Sequence, residues 1–404
     1  MTLVPVEEVR AFVLAACPPG PVVEVPLAEA LGAVVGAEVR APEAVPAFDN
    51  SAMDGFAVRA ADVGGAPTTL QVVGTQLAGP VLPLEVGPGE AVRIMTGAAV
   101  PAGADAVVMI ERTAPADDGG SVVVEATVDP GTAVRRAGDD LRAGDVVVAP
   151  GTVLTPGRLG VLASVGAATV SVHRRPRVGV LSTGDELVDV DRPLAPGLVR
   201  DSNRPTLLAL VETSGFEPVD LGRAADDEEA ITSAVRSAVD GCDAVLTSGG
   251  VSMGDVDLVK VVLDRIGEMR WFQVAVKPAK PFAFGTVEGM PVFGLPGNPV
   301  SSMVSFELFA RPALRQMAGF GEGALDRPQV RAVVDEDLRR QPDGKVHYLR
   351  VVTRRGPDGR WGVRSAGGQG SHQLAAMAAA DGLAVLPDGD GVAAGGEVDV
   401  LLLS

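Results

Sequence analysis

Two lysines close together in the segment VKPAKP, residues 276–281, are the clearest candidates for binding an anion. The whole chain has only four lysines, and Lys277 and Lys280 are two of them. A lysine ammonium is a compact point charge that suits an oxyanion changing shape during a reaction, whereas arginine favours fixed bidentate geometry. Because proline restricts the backbone around it, we expect both lysines to be held in an extended conformation. The alternative is that both are ordinary solvated charges.

A glycine-rich turn precedes these lysines in the chain. An apolar run ends in Ser248, Gly249 and Gly250, and a helical pattern resumes shortly afterwards. In doubly wound sheets such a strand–turn–helix joint lies where ligands bind, at the carboxyl ends of the strands. Glycines there let backbone N–H groups approach a phosphate, and Ser252 can cap the helix that follows.

The segment LPGNP, residues 295–299, predicts the start of another helix near the same place. Pro296 shapes the turn, Asn298 is a favourable N-cap residue and Pro299 suits the first helical position. The helix through residues 301–316 would then direct the positive end of its dipole towards the lysines. The alternative for all these segments is an ordinary sheet with tight turns, since short motifs produce false positives.

Acidic or hydroxyl side chains follow three of the predicted strands. They are Glu186 in the segment STGDEL, Asp226, and Ser248 together with Asp257. We expect them to converge at one edge of the sheet. Carboxylates beside phosphate groups usually bind Mg²⁺, which accepts hard oxygen ligands and bridges the two anions. For Asp226 alone, favourable negative charge at a helix N-terminus is the simpler explanation.

Two further polar segments lie near the amino terminus. The loop FDNSAMDGFA, residues 48–57, places two carboxylates, an amide and a hydroxyl between apolar strands, and includes Asp54. The segment RIMTGA, residues 93–98, places Thr96 between a strand and a glycine turn, where its hydroxyl could contact an oxyanion. Common turn chemistry explains such residues. Their density also favours a functional loop, so both interpretations stay open.

The pattern of apolar residues predicts a multi-domain α/β plus β protein. Strand and helix patterns alternate over residues 177–319, which predicts a doubly wound, mostly parallel sheet. Short β runs predict a small inserted β domain and a C-terminal β barrel or sandwich. The segments flanking the insertion are expected to pack together as an elongated connecting domain. The predicted domains are residues 1–45 with 138–175 (connecting), 46–137 (inserted β), 176–321 (α/β) and 322–404 (C-terminal β barrel).

Composition excludes several classes of function. The 404-residue chain carries a net charge of −18, which argues against a nucleic-acid surface and against anionic membranes. Its two cysteines, Cys17 and Cys242, are too few for a disulfide framework and lack metal-ligand spacing. The sequence begins without a signal-peptide pattern and has no long uncharged apolar run. We therefore expect a cytoplasmic protein with no nucleic-acid or membrane partner.

Six motifs taken together resemble those of one enzyme family. FDNSAMDGFA, RIMTGA, STGDEL, SGGVSMGDVD, VKPAKPFAFG and GLPGNPVS occur in this order. The set is similar to that of the molybdopterin molybdenumtransferases, to which the carboxyl-terminal domain of gephyrin is related. The resemblance spans nearly the whole chain and implies an α/β domain of the molybdopterin-binding type.

The resemblance also implies an activity. Adenylated molybdopterin and molybdate would bind as substrates, and Mg²⁺-dependent cleavage of the pyrophosphate link would release AMP as molybdenum enters the dithiolene. It further implies a homodimer whose active cleft is shared between chains. Molybdopterin adenylyltransferase and the apoproteins of molybdenum enzymes are the implied partners.

Individual residues match positions with known roles in the family. Glu186 and Asp257 are the implied Mg²⁺ ligands. Two residues depart from the family: Phe56 stands where many members have tyrosine, and Gln273 stands where some are basic. The implied catalytic residues are Asp54, Thr96, Glu186, Asp226, Asp257 and Lys277; the positions associated with the oxyanion are Lys280, Arg350 and Ser371; Pro296 and Pro299 shape the loop on the pterin side.

Two other classes of function stay open as alternatives. A non-enzymatic molybdopterin-binding or scaffold protein would need no intact acidic set, and the presence of Asp54, Glu186 and Asp257 argues against it. A nucleotide pyrophosphatase of the competence-damage type would share the α/β domain alone. The polar loop at residues 48–57 and the β domain that follows it argue against that class.

Overall fold

The computed structural model describes residues 2–251 and 258–403, and the predicted site residues Ser252 and Asp257 lie outside this range. Within the described residues the strands form three six-stranded sheets and several two-stranded pairs. One large sheet lies in the inserted β domain and one in the α/β domain, and the third is formed by the C-terminal domain together with the short strand Val276–Lys277. The predicted combination of an α/β domain with β domains is confirmed.

The segments on either side of the insertion pair with each other. Strand Val22–Pro26 runs antiparallel to Thr169–His173, and Val39–Arg40 runs antiparallel to Val146–Val148. The first helix, α1 (Val6–Ala15), instead packs into the core of the α/β domain, although the division made from the sequence places it in the connecting domain. Helix α2 (Pro156–Ser164) packs on the paired strands. The exact domain boundaries stay a prediction.

The inserted domain positions Asp54 at the start of a buried strand. Strand Gly55–Val58 lies between Glu90–Ile94 and Ala106–Met109 and is antiparallel to both. A Cβ atom on Gly55 would lie 2.0 Å from the carbonyl oxygen of Val108, so only glycine fits there. The remaining strands of this sheet are Thr68–Gln76, Thr113–Pro115 and Ser121–Val124.

The α/β domain is built on a sheet whose strands, in spatial order, are Glu217–Ala224, Arg177–Thr183, Ala244–Ser248, Met290–Leu295, Pro281–Val287 and Glu268–Gln273. The first four are parallel, and the last two are added through antiparallel pairings. Five helices belong to this domain: α3 (Asn203–Thr213), α4 (Glu228–Val239), α5 (Leu258–Ile266), α6 (Pro299–Ser305) and α7 (Arg311–Met317).

Helices cover both faces of this sheet. Helices α4 and α5 bury Ile231 and Val262 against the face that carries Val245. Helices α1, α3 and α6 contribute to the core on the opposite face, which contains Phe293. The predicted doubly wound, mostly parallel architecture is therefore confirmed. Burying both faces explains why the central strand Ala244–Ser248 is inaccessible along its whole length.

The helix predicted over residues 301–316 is interrupted. A π-helical turn, Phe306–Ala310, separates α6 from α7. It places the carboxylate of Glu307 in the interior, where Arg327 binds both oxygens at 2.9 and 3.0 Å. This ion pair attaches the end of the α/β domain to the segment that leads into the C-terminal domain.

The C-terminal domain is a closed five-stranded barrel, as predicted. Its strands, in spatial order, are Val346–Arg355, Trp361–Ser365, Gln329–Val334, Glu397–Leu402 and Gly382–Leu386, and the last pairs with the first. A short helix, α8 (Leu374–Ala378), precedes the strand that closes it. Strand Val276–Lys277 of the α/β domain pairs in parallel with the barrel strand, bringing Lys277 opposite His347.

Candidate functional site

Exposed carboxylates meet at the ends of two neighbouring strands of the α/β sheet. The backbone N–H of Asp185 donates to Asp226 Oδ2 at 3.3 Å, and the N–H of Asp226 donates to Asp185 Oδ1 at 3.1 Å. The carboxylate of Glu186 lies over Gly184. A Cβ atom added to Gly184 would be 2.5 Å from Glu186 Oε2. The structure thus joins Asp226 to Asp185, which the sequence did not single out, and places Glu186 next to Asp185 in the same loop.

These carboxylates suit Mg²⁺ better than a softer metal. Mg²⁺ commonly takes one or two protein carboxylates and completes its shell with water and substrate phosphates. Across residues 2–251 and 258–403 no three His, Cys, Asp or Glu side chains form a site that could hold a metal ion by themselves. Asp185, Glu186 and Asp226 therefore form no such site by themselves. Asp257, the other predicted ligand, is outside the described residues.

Ser248 ends the central strand and is tied to two other segments. Its Oγ accepts a hydrogen bond from Asn203 Nδ2 at 2.7 Å, and the same nitrogen donates to Gly297 O at 2.7 Å. Gly249 and Gly250 follow with φ of 97° and 71°, a conformation that glycine adopts without strain. The turn thus needs both glycines for its shape. Asn203 was not among the residues predicted from the sequence.

The loop at residues 295–299 contacts the C-terminal domain. Pro296 is buried and Pro299 opens helix α6 as predicted. Asn298 occupies the N-cap position as predicted, but its side chain makes no capping hydrogen bond. The N–H of Val300 instead donates to Ser371 O at 3.1 Å. Ser371 therefore lies against the start of α6.

A cavity of about 600 Å³ lies between the lysine segment and the barrel, and we call it the cationic cavity. Positive side chains outnumber negative ones along its wall. In a protein with a large negative net charge, such a local excess of cations is what anion binding requires. Among the residues that line it are Lys277, Arg340, His347, Arg350, Gln369 and Gly370.

Arg350 is the most unusual residue of this wall because its side chain is completely buried. Its Nη2 donates to Gly368 O at 2.9 Å and to Gly370 O at 3.1 Å. Its Nε and Nη1 have no hydrogen-bond partner within the described part of the chain. Burial lowers the pKa of Arg350. An anion in the cavity would supply the missing acceptors.

A glutamine holds Arg350 in place. Gln369 Oε1 accepts the backbone N–H of Arg350 at 3.0 Å, and Gln369 Nε2 donates to the backbone carbonyl of Arg350 at 3.0 Å. The two bonds imitate the pairing of adjacent strands and fix the backbone of Arg350. The segment GQGSH, residues 368–372, is therefore tied to the barrel strand that carries Arg350.

His347 and Asp343 form a second polar group in the cavity wall. His347 Nε2 lies 3.1 Å from Asp343 Oδ1. Burial, followed by the charge of Arg340, lowers the pKa of His347. Burial raises the pKa of Asp343, but hydrogen bonds from Lys345 and His347 outweigh it and hold this pKa at about 2. None of these residues was identified from the sequence.

The two lysines do not lie along an extended segment, as the prolines had suggested. Ala279 between them has φ of 83°, and Val274 donates its N–H to Lys280 O at 2.7 Å. The segment is therefore a turn. Lys277 lines the cationic cavity, whereas Lys280 is exposed and is absent from the lining.

Asp54 and Thr96 form a pair inside the inserted domain. Asp54 Oδ1 accepts both the backbone N–H and the hydroxyl of Thr96, each at 2.7 Å. These bonds, backbone first, lower the pKa of Asp54. The hydroxyl of Thr96 thus donates its proton to Asp54. The sequence had suggested that this hydroxyl contacts an oxyanion, but its proton is not free to do so. Phe56 is packed in the core of this domain.

Comparisons with known proteins cover all of these regions. Residues 4–166 match the family described as the MoeA N-terminal region (domain I and II), residues 179–316 the probable molybdopterin binding domain, and residues 331–403 the MoeA C-terminal region (domain IV). No helix of the described ranges is both long and apolar enough to span a membrane.

Individual relatives match over almost their full length. A molybdopterin molybdenumtransferase of Haemophilus influenzae is 40% identical over 92% of this chain and 91% of its own. Molybdopterin molybdenumtransferase 2 of Mycobacterium tuberculosis is 41% identical over 98% and 97%. The crystal structure of a molybdopterin biosynthesis MoeA protein from Pyrococcus horikoshii superposes with a TM-score of 0.81 at 30% identity, covering 99% of this chain and 100% of that one. The chain therefore belongs to the molybdopterin molybdenumtransferase family, whose members are transferases of molybdenum cofactor biosynthesis.

Proposed function

We propose that this enzyme inserts molybdate into adenylated molybdopterin and releases AMP by Mg²⁺-dependent cleavage of the pyrophosphate link. The observation that carries the proposal is the cationic cavity, in which the buried Arg350 leaves two nitrogens without a partner in the described residues. Such a guanidinium favours a compact oxyanion, whose oxygens accept several N–H bonds at once.

The strand-end loops suit the phosphate part of the substrate. Glycines at 249 and 250 let backbone N–H groups approach a phosphate. The carboxylates of Asp185, Glu186 and Asp226 would hold Mg²⁺, which when bound neutralises charge that develops on the pyrophosphate. Water attack on the link would give AMP and molybdopterin monophosphate.

Contacts between the two regions support one extended substrate site. Asn203 joins the end of the central strand to Gly297, and Val300 three residues further on contacts Ser371. Gly370, which precedes Ser371, accepts a hydrogen bond through its carbonyl oxygen from Arg350 in the cavity wall. The pterin end of the substrate would therefore reach molybdate while its pyrophosphate lies over the strand ends. Lys277 borders the same cavity, and Lys280 is proposed to attract the oxyanion from outside it.

The remaining proposals concern assembly and context. We propose a homodimer in which Asp54 and Thr96 of one chain complete the site of the other. The hydrogen bonds of the Asp54 side chain lie within the inserted domain, so that domain presents Asp54 as a preformed unit. We also propose a cytoplasmic location, with molybdopterin adenylyltransferase as supplier of substrate and molybdenum apoenzymes as recipients of the product.

AMP release tests the proposed reaction. The protein is incubated with adenylated molybdopterin and Mg²⁺, with and without molybdate, and AMP is quantified by chromatography while cofactor is assayed by reactivation of a molybdenum apoenzyme. We expect molybdate-dependent AMP release together with active cofactor. Glu186→Gln should slow both, whereas Glu288→Gln, a change in an exposed hairpin turn of the same domain, should not. Absence of AMP and cofactor from the parent protein would refute the proposal.

A further inference from the structure

We propose that Asn203 is a positioning residue that holds the end of the central strand, at Ser248, and the Gly297 loop in fixed positions at the substrate site. This inference rests on the proposed function, because it assigns Ser248 and the adjoining loops to the substrate site. Asn203 is the first residue of α3 and reaches two segments that lie 45 and 94 residues away along the chain.

The chemistry of its partners fixes the orientation of the Asn203 amide. The carbonyl oxygen of Gly297 can only accept a hydrogen bond, so the atom that faces it at 2.7 Å must be Nδ2. The second N–H of the same nitrogen points at Ser248 Oγ, also at 2.7 Å. Both hydrogens of the amide group are therefore used by the two site segments.

The bond also fixes the end of the central strand. A hydroxyl has one donor and two acceptor positions, and Ser248 Oγ uses one acceptor position for Asn203. Ser248 is buried and stands at the carboxyl end of the central strand, directly before the glycine turn. The bond therefore holds the strand end from which this turn begins, and ligands of such sheets bind near strand ends of this kind.

Asn203 itself is held to the sheet. The buried carboxylate of Asp201 accepts the backbone N–H groups of Asn203 and Arg204, both at 3.1 Å. The guanidinium of Arg204 then binds both carboxylate oxygens of Asp220 at 2.7 and 3.0 Å, in the edge strand Glu217–Ala224. The start of α3 is therefore anchored, and a short side chain with two torsions projects from a fixed backbone.

Asn203→Asp is the informative substitution because it keeps the shape and reverses the polarity. A carboxylate would repel Gly297 O and could not donate to Ser248 Oγ, so both bonds from residue 203 would be lost. Asn203→Ala removes both bonds without reversing either. Thr213→Ala is the matched control: it removes a side-chain hydrogen bond to Ala209 O at the far end of α3.

Steady-state kinetics of AMP release should separate these variants. We expect Asn203→Ala to raise the KM for adenylated molybdopterin on the order of 10-fold with kcat changed less, and Asn203→Asp to raise it further. In a Ser248→Ala background both substitutions should raise KM by a smaller factor than they do in the parent protein, because the shared interaction is already lost. Parental KM values in both Asn203 variants, or equal effects in the two backgrounds, would overturn the proposal.

A second measurement keeps the inference separate from the reaction. If the parent protein releases no AMP, the proposed function fails, but hydrogen exchange still reports on the loops. Peptides covering residues 248–250 and 296–298 should exchange faster in both Asn203 variants than in the parent and in Thr213→Ala. Unchanged exchange in these peptides, with melting temperatures near that of the parent, would refute the positioning role.

Discussion

At the scale of single residues, the burial of Arg350 is the feature that most directly indicates a ligand. A buried donor without a partner costs about 1–3 kcal/mol, and more when it is charged. Two of the three nitrogens of this guanidinium lack partners within the described residues, and burial lowers its pKa. A tetrahedral dianion in the cationic cavity would provide acceptors and a counter-charge. The protein is therefore expected to gain stability when an oxyanion binds.

Arg350→Lys tests this role without removing the positive charge. Lysine lacks the planar fork of donors, so we expect the molybdate concentration for half-maximal AMP release to rise on the order of 10-fold. Arg354→Lys is the control, since Arg354 lies in the same strand and forms an exposed ion pair with Asp335. Molybdate dependence that is equal in the two variants and the parent would show that Arg350 is only a structural cation.

His347 should make stability depend on pH in a defined direction. Burial and the charge of Arg340 lower its pKa below the ordinary value of 6.5. Between the two pKa values the unfolded chain binds a proton that the folded chain does not, so stability falls as pH drops below about 6.5. We expect the melting temperature of the parent to fall more steeply from about pH 7 to about pH 5 than that of His347→Gln. Calorimetry at several pH values measures this, and parallel curves would contradict it.

At the scale of elements, the glycine turn after the central strand is closely packed on both sides. Gly249 lies close to the end of strand Arg177–Thr183, so a Cβ atom added to Gly249 would be 3.0 Å from Thr183 O. Gly250 faces helix α5, where an added Cβ would be 2.2 Å from Val259 Cβ. Both also have positive φ. The two glycines therefore let the strand, the turn and the helix pack together.

Gly250→Ala should therefore destabilise the domain as well as its site. The positive φ and the collision with Val259 together are expected to cost about 2–4 kcal/mol in the free energy of unfolding. Gly241→Ala is the control, because Gly241 precedes the same strand with open space around its Cα. Urea unfolding of both variants measures the difference. Equal stabilities would mean that the turn can move away from α5 at little cost.

Local patterns predicted those elements whose signals are local. Helix α3 is one of the helices expected from the alternation over residues 177–319, and Gly215, in the left-handed region, follows its end. The strand ends that carry Glu186, Asp226 and Ser248 were placed correctly for the same reason: alternation of strands and helices fixes which ends meet.

Tertiary contacts explain what the sequence could not predict. The lysine segment bends because Ala279 adopts the left-handed region between two prolines. Asn298 makes no cap since Ser371, from another domain, accepts the N–H of Val300. Gln369 is hydrogen-bonded to Arg350, which lies 19 residues away along the chain, and no sequence pattern predicts that contact. One overlooked signal was local: the Glu288–Gly289 pair between two apolar runs indicates the hairpin that adds the antiparallel strands.

At the scale of the whole molecule, the proposed site divides into two separately built parts. The glycine turn, the loop at 295–299 and the cationic cavity are connected by hydrogen bonds within one chain, and Glu186 follows a strand that pairs with the central strand. The Asp54 side chain is instead bonded to Thr96 in its own inserted domain. A substrate touching both parts would be enclosed by two chains if the inserted domain of one protomer faced the α/β domain of the other.

Mixed dimers test this arrangement. Asp54→Ala and Lys277→Ala should each abolish AMP release as homodimers. In a mixed dimer with a shared site, one site carries both defects and the other carries neither. Random pairing makes half of the dimers mixed, each with one intact site of two, so activity should recover to roughly a quarter of the parent's.

The measurement requires dissociating the two variants together, reassembling them, and isolating dimers that carry two different affinity tags. Purified mixed dimers should then show about half of the parent's AMP release per dimer, because one of two sites is intact. A site built within one chain would instead leave Asp54 missing from one site and Lys277 missing from the other, so mixed dimers would stay inactive. Inactive mixed dimers whose circular dichroism matches the parent's would therefore refute the shared site, since loss of fold could not explain the result.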